Sequence, residues 1–465
     1  MDKKKFFLKL LLLLVAEIVL VFFITPAFNI FSLKFRFFVL LPLLVGIWSI
    51  LPSDTKRTRI IPNVLILLAI FLVFFGVVNL LSSSTSSDSH SQIAKIHNDG
   101  DFSESVIKVE ALSDVPTVDR EYAVTLASNL INSNQQYYET YRLGTECNLI
   151  YYKESYYRII PLEYIDPLNF GGVPGYILVN VFNGETNFIK LENDNAIKYS
   201  PASILDKDLS RYIRFKYPME LFGDENFEID DNGHPYYIVP TLRSKSLFFG
   251  GEYVYGALVV DAVTGDIQKY TLNNLPKWID NVYDVERLMT EAKWHLDHEA
   301  GPSNFIMRSS ENTPTTRYHL NSEYYIFGKN GEIYIYTEIT LGPTYMNNIA
   351  FMLGNLRSGV LTYYSDYGIS GYNAQIAAQS LYHENQYVPS RVLLLNIEGN
   401  SVYYITMKNH LEHPEQYAFI NKYKEPFVFW VAGESVDEAL RNYYKKLGKQ
   451  YPYSIEYDEN DWINK

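Results

Sequence analysis

Three observations predict an α+β chain in which N-terminal transmembrane helices are followed by tandem repeats of a helix and an antiparallel sheet. The first 81 residues hold three long apolar runs, and a helix followed by paired strands recurs four times after residue 116. All 40 tyrosines fall after Leu81, and Tyr favours strands and half-buried surfaces. Charge divides at the same point. Up to Leu81 there are nine basic and three acidic residues, a net of +6; beyond it there are 31 and 50, a net of −19. Such an acidic region repels phosphate backbones, which excludes nucleic acid as a partner.

The run Phe6 to Thr25 has the length of a membrane-spanning helix, broken only by Lys9, Ala16 and Glu17. A cleaved signal peptide fits less well, because no small-x-small site follows and further apolar runs come next. The second and third spans are 35–51 and 60–81. Lys3, Lys4, Lys5 and Lys9 before the first span, with Lys56, Arg57 and Arg59 in the second loop, place the N-terminus in the cytoplasm and residues after about 82 outside it. The expected location is therefore the cell membrane, multi-pass. Glu17 is an intramembrane polar residue, read as either functional or as helix–helix adhesion.

Six segments follow: a three-helix anchor (1–81), a polar linker and irregular segment (82–116), and four α+β repeats at 117–200, 201–280, 281–370 and 371–465, the last with a C-terminal helix. The repeat helices are Asp119 to Gln135, Ser203 to Lys216, Val282 to Glu299 and Ala374 to Tyr387, with Ser435 to Leu447 closing the chain. Hairpin turns are expected at Asn183-Gly184, Asp231-Asn232-Gly233, Thr264-Gly265-Asp266, Asn330-Gly331 and Gly399-Asn400, where Gly or Asn supplies positive φ. The lone Cys147 can form no internal disulfide and reads as a small buried hydrophobe.

The segment Val260, Asp261, Thr264, Gly265, Asp266 and Ile267 resembles the PepSY-type extracytoplasmic module, most closely over residues 203–272. The other repeats keep the layout but lose the motif: the first reads NVFNGETNF and the third GNLRSGVLTYY, and the fourth has no evident equivalent. The resemblance implies an exported or anchored accessory module and brings no catalytic residues. Asp261, Thr264 and Gly265 also have a sufficient structural role as a hairpin turn.

Chemistry-bearing patterns are few. His295 and His298 share a helix face and could supply two ligands of a zinc site, but the H-E-x-x-H spacing is missing; His410 and His413 lie in a loop. There is no nucleophile elbow, Walker loop or dinucleotide fingerprint. Carboxylates are plentiful and no pair is singled out. Doubled tyrosines on strands place one ring on each sheet face, so Tyr237, Tyr325, Tyr364 and Tyr404 become candidate binding residues on an open face, or packing between repeats. The predicted function is a non-enzymatic, membrane-anchored bacterial envelope scaffold that binds or modulates an exported protein partner or wall glycan, without a cofactor. The alternatives are an extracytoplasmic hydrolase with a metal or carboxylate site, and an accessory subunit of a membrane transporter.

Overall fold

Four antiparallel sheets, each built around one long strand, form the body of this computed structural model. It describes residues 3–39 and 95–453, apart from a few positions within 30–40 and 98–106 and the segments 167–171, 192–194, 245–251, 299–313, 317–323, 342–346, 381–386 and 424–429. After a short strand β1 (Lys95–His97), the first sheet holds β2 (Tyr141–Leu143), β3 (Asn148–Tyr152), β4 (Ser155–Tyr164), β5 (Gly175–Asn180) and β6 (Thr186–Lys190). The second holds β7 (Leu221–Phe222), β8 (Asn226–Ile229), β9 (Pro235–Ser244), β10 (Glu252–Asp261) and β11 (Ile267–Thr271). The third holds β12 (Pro314–Thr316), β13 (Tyr324–Lys329), β14 (Glu332–Leu341), β15 (Asn347–Asn355) and β16 (Val360–Ile369), with β1 added parallel to β16. The fourth holds β17 (Val388–Pro389), β18 (Leu393–Ile397), β19 (Asn400–Lys408), β20 (Pro414–Asn421) and β21 (Trp430–Gly433).

In every sheet the long strand (β4, β9, β14 or β19) pairs along one edge with two short strands in succession and along the other with a meander. The sequence marks the change of partner. β3 pairs β4 as far as Ile159 and β2 resumes at Leu162, while β8 pairs β9 as far as Ile238 and β7 resumes at Thr241. Pro161 and Pro240 sit in these gaps, where a missing N–H forfeits no ladder bond on that edge. Their carbonyls accept instead from Gly144 N (2.8 Å) and Gly223 N (3.0 Å).

The sheets close into a ring. The first meets the second where Asn148 Nδ2 donates to Phe227 O at 3.3 Å. Val282 and Tyr283, which follow the second sheet, donate their N–H groups to Leu356 O of the third. The third meets the fourth where Tyr403 OH donates to Glu338 at 2.6 Å. The fourth returns to the first through Lys408–Asp119 at 2.7 Å, Arg391–Glu121 at 3.3 Å and Tyr404 OH to Pro116 O at 2.8 Å. This is a mainly β, four-bladed, propeller-like fold.

That architecture corrects the expected α+β class with transmembrane helices. A sheet covered on one face by a helix alternates between buried and exposed residues. Here β5, β8 and β18 are buried at every position, because sheets pack on sheets. Two of the predicted repeat helices bury little; Arg120–Asn132 contributes Ala123, Ala127 and Ile131, and Leu209–Lys216 only Leu209 and Ile213. Each still has a local cause. Asp119 caps the former by accepting from Tyr122 N at 2.9 Å, and the helix Val436–Leu447 starts on the Ser435 cap and stops at Gly448 with φ of 68°.

The membrane reading is corrected as well. The second and third predicted spans lie almost wholly outside the described residues. The first corresponds to the helix Lys3–Ile24, which keeps Lys9 and a buried Glu17 within it. Among the described residues no helix is long and apolar enough to cross a membrane. This helix ends docked on the second blade. Arg211 Nε donates to Phe22 O at 3.2 Å, its guanidinium lies 4.7 Å from the Phe22 ring, and Phe28 N donates to Pro218 O at 2.7 Å. Multi-pass location with an extracytoplasmic body is therefore withdrawn.

Close packing at the seams gives one direct prediction. A Cβ on Gly328 would overlap the Tyr156 ring, whose hydroxyl is itself fixed by Gly331 N at 2.7 Å. Gly328→Ala is expected to cost about 2 kcal/mol or more despite the entropy it removes from the unfolded chain. Urea denaturation reads this directly, and an unchanged midpoint would mean that the ring can move aside.

Candidate active site

The loops that join the two short strands of each sheet occupy equivalent places. In the first blade this loop is Gly144-Thr145-Glu146, and in the second it is Gly223-Asp224-Glu225, each pinned by its glycine N–H to the proline carbonyl of the long strand. In the fourth blade Ser390 makes the same bond to Thr406 O at 2.7 Å, and Arg391 follows it. The equivalent loop of the third blade lies outside the described residues.

Glu146 and Glu225 thus come from equivalent loops of adjacent blades, near enough for the charge of Glu225 to act on Glu146. Asn148 ties them together: its Nδ2 donates to Glu146 Oε2 at 3.4 Å and to Phe227 O, two residues beyond Glu225. Arg120 Nη2 fixes the loop from the helix side by donating to Thr145 O at 3.2 Å. Both carboxylates are half-buried. Burial first, and then the charge of Glu225, raise Glu146 from 4.5 to about 7, against the opposing pull of Asn148 and Arg120. Glu225 is also raised, by burial and then by Asp224 and Asp208. A carboxyl raised to about 7 keeps its proton near neutrality, as acid–base work requires.

The residues selected from sequence lie elsewhere or beneath. Tyr237, Tyr325, Tyr364 and Tyr404 are 2%, 6%, 7% and 1% exposed, so their rings pack between blades and line no open sheet face. Tyr404 OH is bonded to Pro116 O, and the Tyr364 ring stacks on Phe351 with centroids 4.7 Å apart. Tyr237 lies under the candidate site. Burial, followed by the charges of Glu146 and Glu225, holds its phenol well above 10, so it stays protonated. The side chains of His295 and His298 lie outside the described residues, and no metal-binding cluster occurs among the described ones. Glu17 is buried in the helix Lys3–Ile24 with neither carboxylate oxygen hydrogen-bonded, and burial raises its carboxyl. Cys147 is buried and its thiol is pushed up, chiefly by burial, which is the environment of an inert cysteine.

A second carboxylate pair differs from the first. Glu228 and Asp280 are 0% and 3% exposed where three blades meet. Glu228 accepts from Asp280 N at 2.9 Å, Asn281 N at 2.5 Å and Asn281 Nδ2 at 2.8 Å, and Asp280 accepts from Tyr151 N at 2.5 Å. These carboxyls serve as internal acceptors for the backbone and are closed to a substrate.

No family model and no curated protein matches the chain. A solved GH43 β-1,3-galactosidase with galactodeoxynojirimycin aligns with 62% of this chain and 78% of its own at 11% identity and a TM-score of 0.18, too slight a likeness to carry an argument. The PepSY resemblance is therefore corrected. Its motif is a turn: Asp261 Oδ1 accepts from Val263 N and Thr264 N, and Gly265 has φ of 78°. Asn180, Asn355 and Asn421 make the same side-chain-to-backbone turn at the ends of β5, β15 and β20. Sequence reading missed Glu146 and Glu225, although the signal was present. Both stand in a Gly-x-Glu triplet followed, after the same interval, by a proline within a strand.

Proposed function

We propose that the chain is a hydrolase working by carboxylate acid–base chemistry, with Glu146 as the proton donor and Glu225, assisted by Asp224, as its partner. The observation that carries this is the meeting of two half-buried carboxyls from equivalent loops of neighbouring blades, one of them raised to about 7. Glycosidic bonds are a substrate class for which two carboxyls suffice without a metal or a stronger nucleophile. Glu146 would protonate the leaving oxygen while Glu225 activates water or attacks the sugar carbon. The non-enzymatic reading rests on membrane topology, a fourfold helix-and-sheet repeat, tyrosine-rich faces and the want of a catalytic motif; the propeller-like sheets and the buried tyrosines remove the first three, and it is withdrawn.

The test is a panel of aryl glycosides offered to the full chain, with release of the phenol followed against pH. Activity should decline above about pH 7 as Glu146 loses its proton. Glu146→Gln and Glu225→Gln should each lower kcat by about 100-fold or more with an unchanged circular dichroism spectrum. Variants as active as the parent, or a parent that cleaves none of the panel, would sink the proposal.

A further inference from the structure

The helix Lys3–Ile24 has one covered side and one bare side. Leu13, Glu17, Leu20 and Ile24 are buried or half-buried, and their spacing puts them on one face. Every exposed residue described between Phe7 and Phe23 is apolar, including Leu12 at 61%, Ile18 at 68% and Phe23 at 71%. The bare strip continues onto the second blade. The Phe22 ring lies 6.3 Å from that of Phe215, Asn29 Nδ2 donates to Met219 O at 2.9 Å, and Phe215 and Met219 are themselves 57% and 69% exposed. Large apolar side chains on a monomer's surface are ordinarily scattered singly, and a continuous strip of them marks an interaction site.

Cations border the strip. Lys207 Nζ donates to Tyr199 OH and Lys216 Nζ to Tyr212 OH, both at 2.6 Å, while Arg211 donates to Phe22 O at 3.2 Å and Leu205 O at 2.7 Å. These acceptors are neutral, so they orient the three cations without cancelling their charge. Residues 198–219 hold five basic and two acidic residues, although the chain after Leu81 as a whole is strongly acidic. We propose that this face docks on an anionic lipid surface, with the bare side of the helix against acyl chains and Lys207, Arg211 and Lys216 among the headgroup phosphates.

Two features select lipid over a second copy of the chain. A protein interface carries hydrogen bonds through and around its apolar centre, and the exposed side chains described on the helix offer no polar atom. Pairing two copies through this face would also bring their basic borders together, which like charges oppose. The acidic remainder of the body is repelled by the same headgroups, and that repulsion turns this face towards them. The helix lies along one leaflet in this arrangement, its covered side towards the protein, and no segment needs to cross.

The experiment attaches an environment-sensitive fluorophore to the full chain at Met219→Cys or, as a control, at Lys445→Cys, an exposed position on the helix Val436–Leu447 of the fourth blade. The native Cys147 is buried and does not compete for the label. Each protein is mixed with vesicles of phosphatidylcholine, with or without phosphatidylglycerol, that carry a doxyl-lipid quencher. The label at 219 should be quenched and that at 445 should not, with stronger quenching when phosphatidylglycerol is present and weaker quenching in high salt. Lys207→Glu combined with Lys216→Glu should weaken binding to the phosphatidylglycerol vesicles about tenfold or more. Equal quenching at both positions, no quenching at 219, or a dimer that shields 219 without vesicles overturns the proposal.

Discussion

Replacing Lys422 by Met is expected to destabilise the protein by about 3–5 kcal/mol, the cost of leaving a buried carboxylate without its partner. The Lys422 and Asp366 side chains are 0% and 2% exposed and joined at 2.6 Å, with Lys422 Nζ also donating to Asp366 O at 2.8 Å and Ser401 Oγ donating to Asp366 Oδ1 at 3.1 Å. Burial pushes Asp366 up and Lys422 down, so each is charged against the desolvation of its surroundings. The double variant Asp366→Leu with Lys422→Met should recover much of the loss, since an apolar pair of similar volume carries no desolvation penalty. Urea midpoints of the parent, both single variants and the double variant complete the cycle. A harmless Lys422→Met would mean that water reaches Asp366.

The second large effect is on pH dependence. Burial raises Glu228 from 4.5 to about 7, partly opposed by the N–H groups of Asp280 and Asn281. A carboxyl raised in the folded state binds its proton more tightly there than in the unfolded chain. Its contribution is complete below the unfolded value of 4.5 and is lost as pH rises through about 7. The loss falls between pH 4.5 and about 7, where the unfolded chain has already released its proton and the fold still holds it. Glu228→Gln, which cannot ionise, should flatten the stability profile over that window relative to the parent. Identical slopes for the two proteins would show that Glu228 stays ionised in the fold.

Local chemistry was legible in the sequence. The expected turns at Gly184, Gly233, Gly265, Gly331 and Gly399 all have positive φ in the structure, because only a residue free of a Cβ takes that conformation cheaply. What the sequence concealed was the cover of each sheet. LLLNI in β18 and GYILVN in β5 are nearly continuous apolar runs, the sign of a strand covered on both faces, which a sheet under a single helix does not provide. Cover on both faces also accounts for the buried tyrosines. Doubled Tyr on a strand does send rings both ways, but both sides are interior at Tyr403 and Tyr404, which are 0% and 1% exposed. Glu146 and Glu225 stayed hidden because they come from two blades far apart in the sequence and are related only through the packing of those blades.

The joint between the first and last blades bears on how the chain is made. Asp119, which caps the first helix of the ring, finds Lys408 only 289 positions later, and Asn396 of the fourth blade binds Phe102 O across 294. A nascent polypeptide emerging from the ribosome must therefore keep its first three blades open at one flank until the last has been translated. Contacts so distant along the chain slow folding and leave apolar edges uncovered in the interval. A linear array can lose a terminal unit and keep the remainder. Here truncation after the third blade removes the cover of both its neighbours, so the smallest product that can mature is the whole circle.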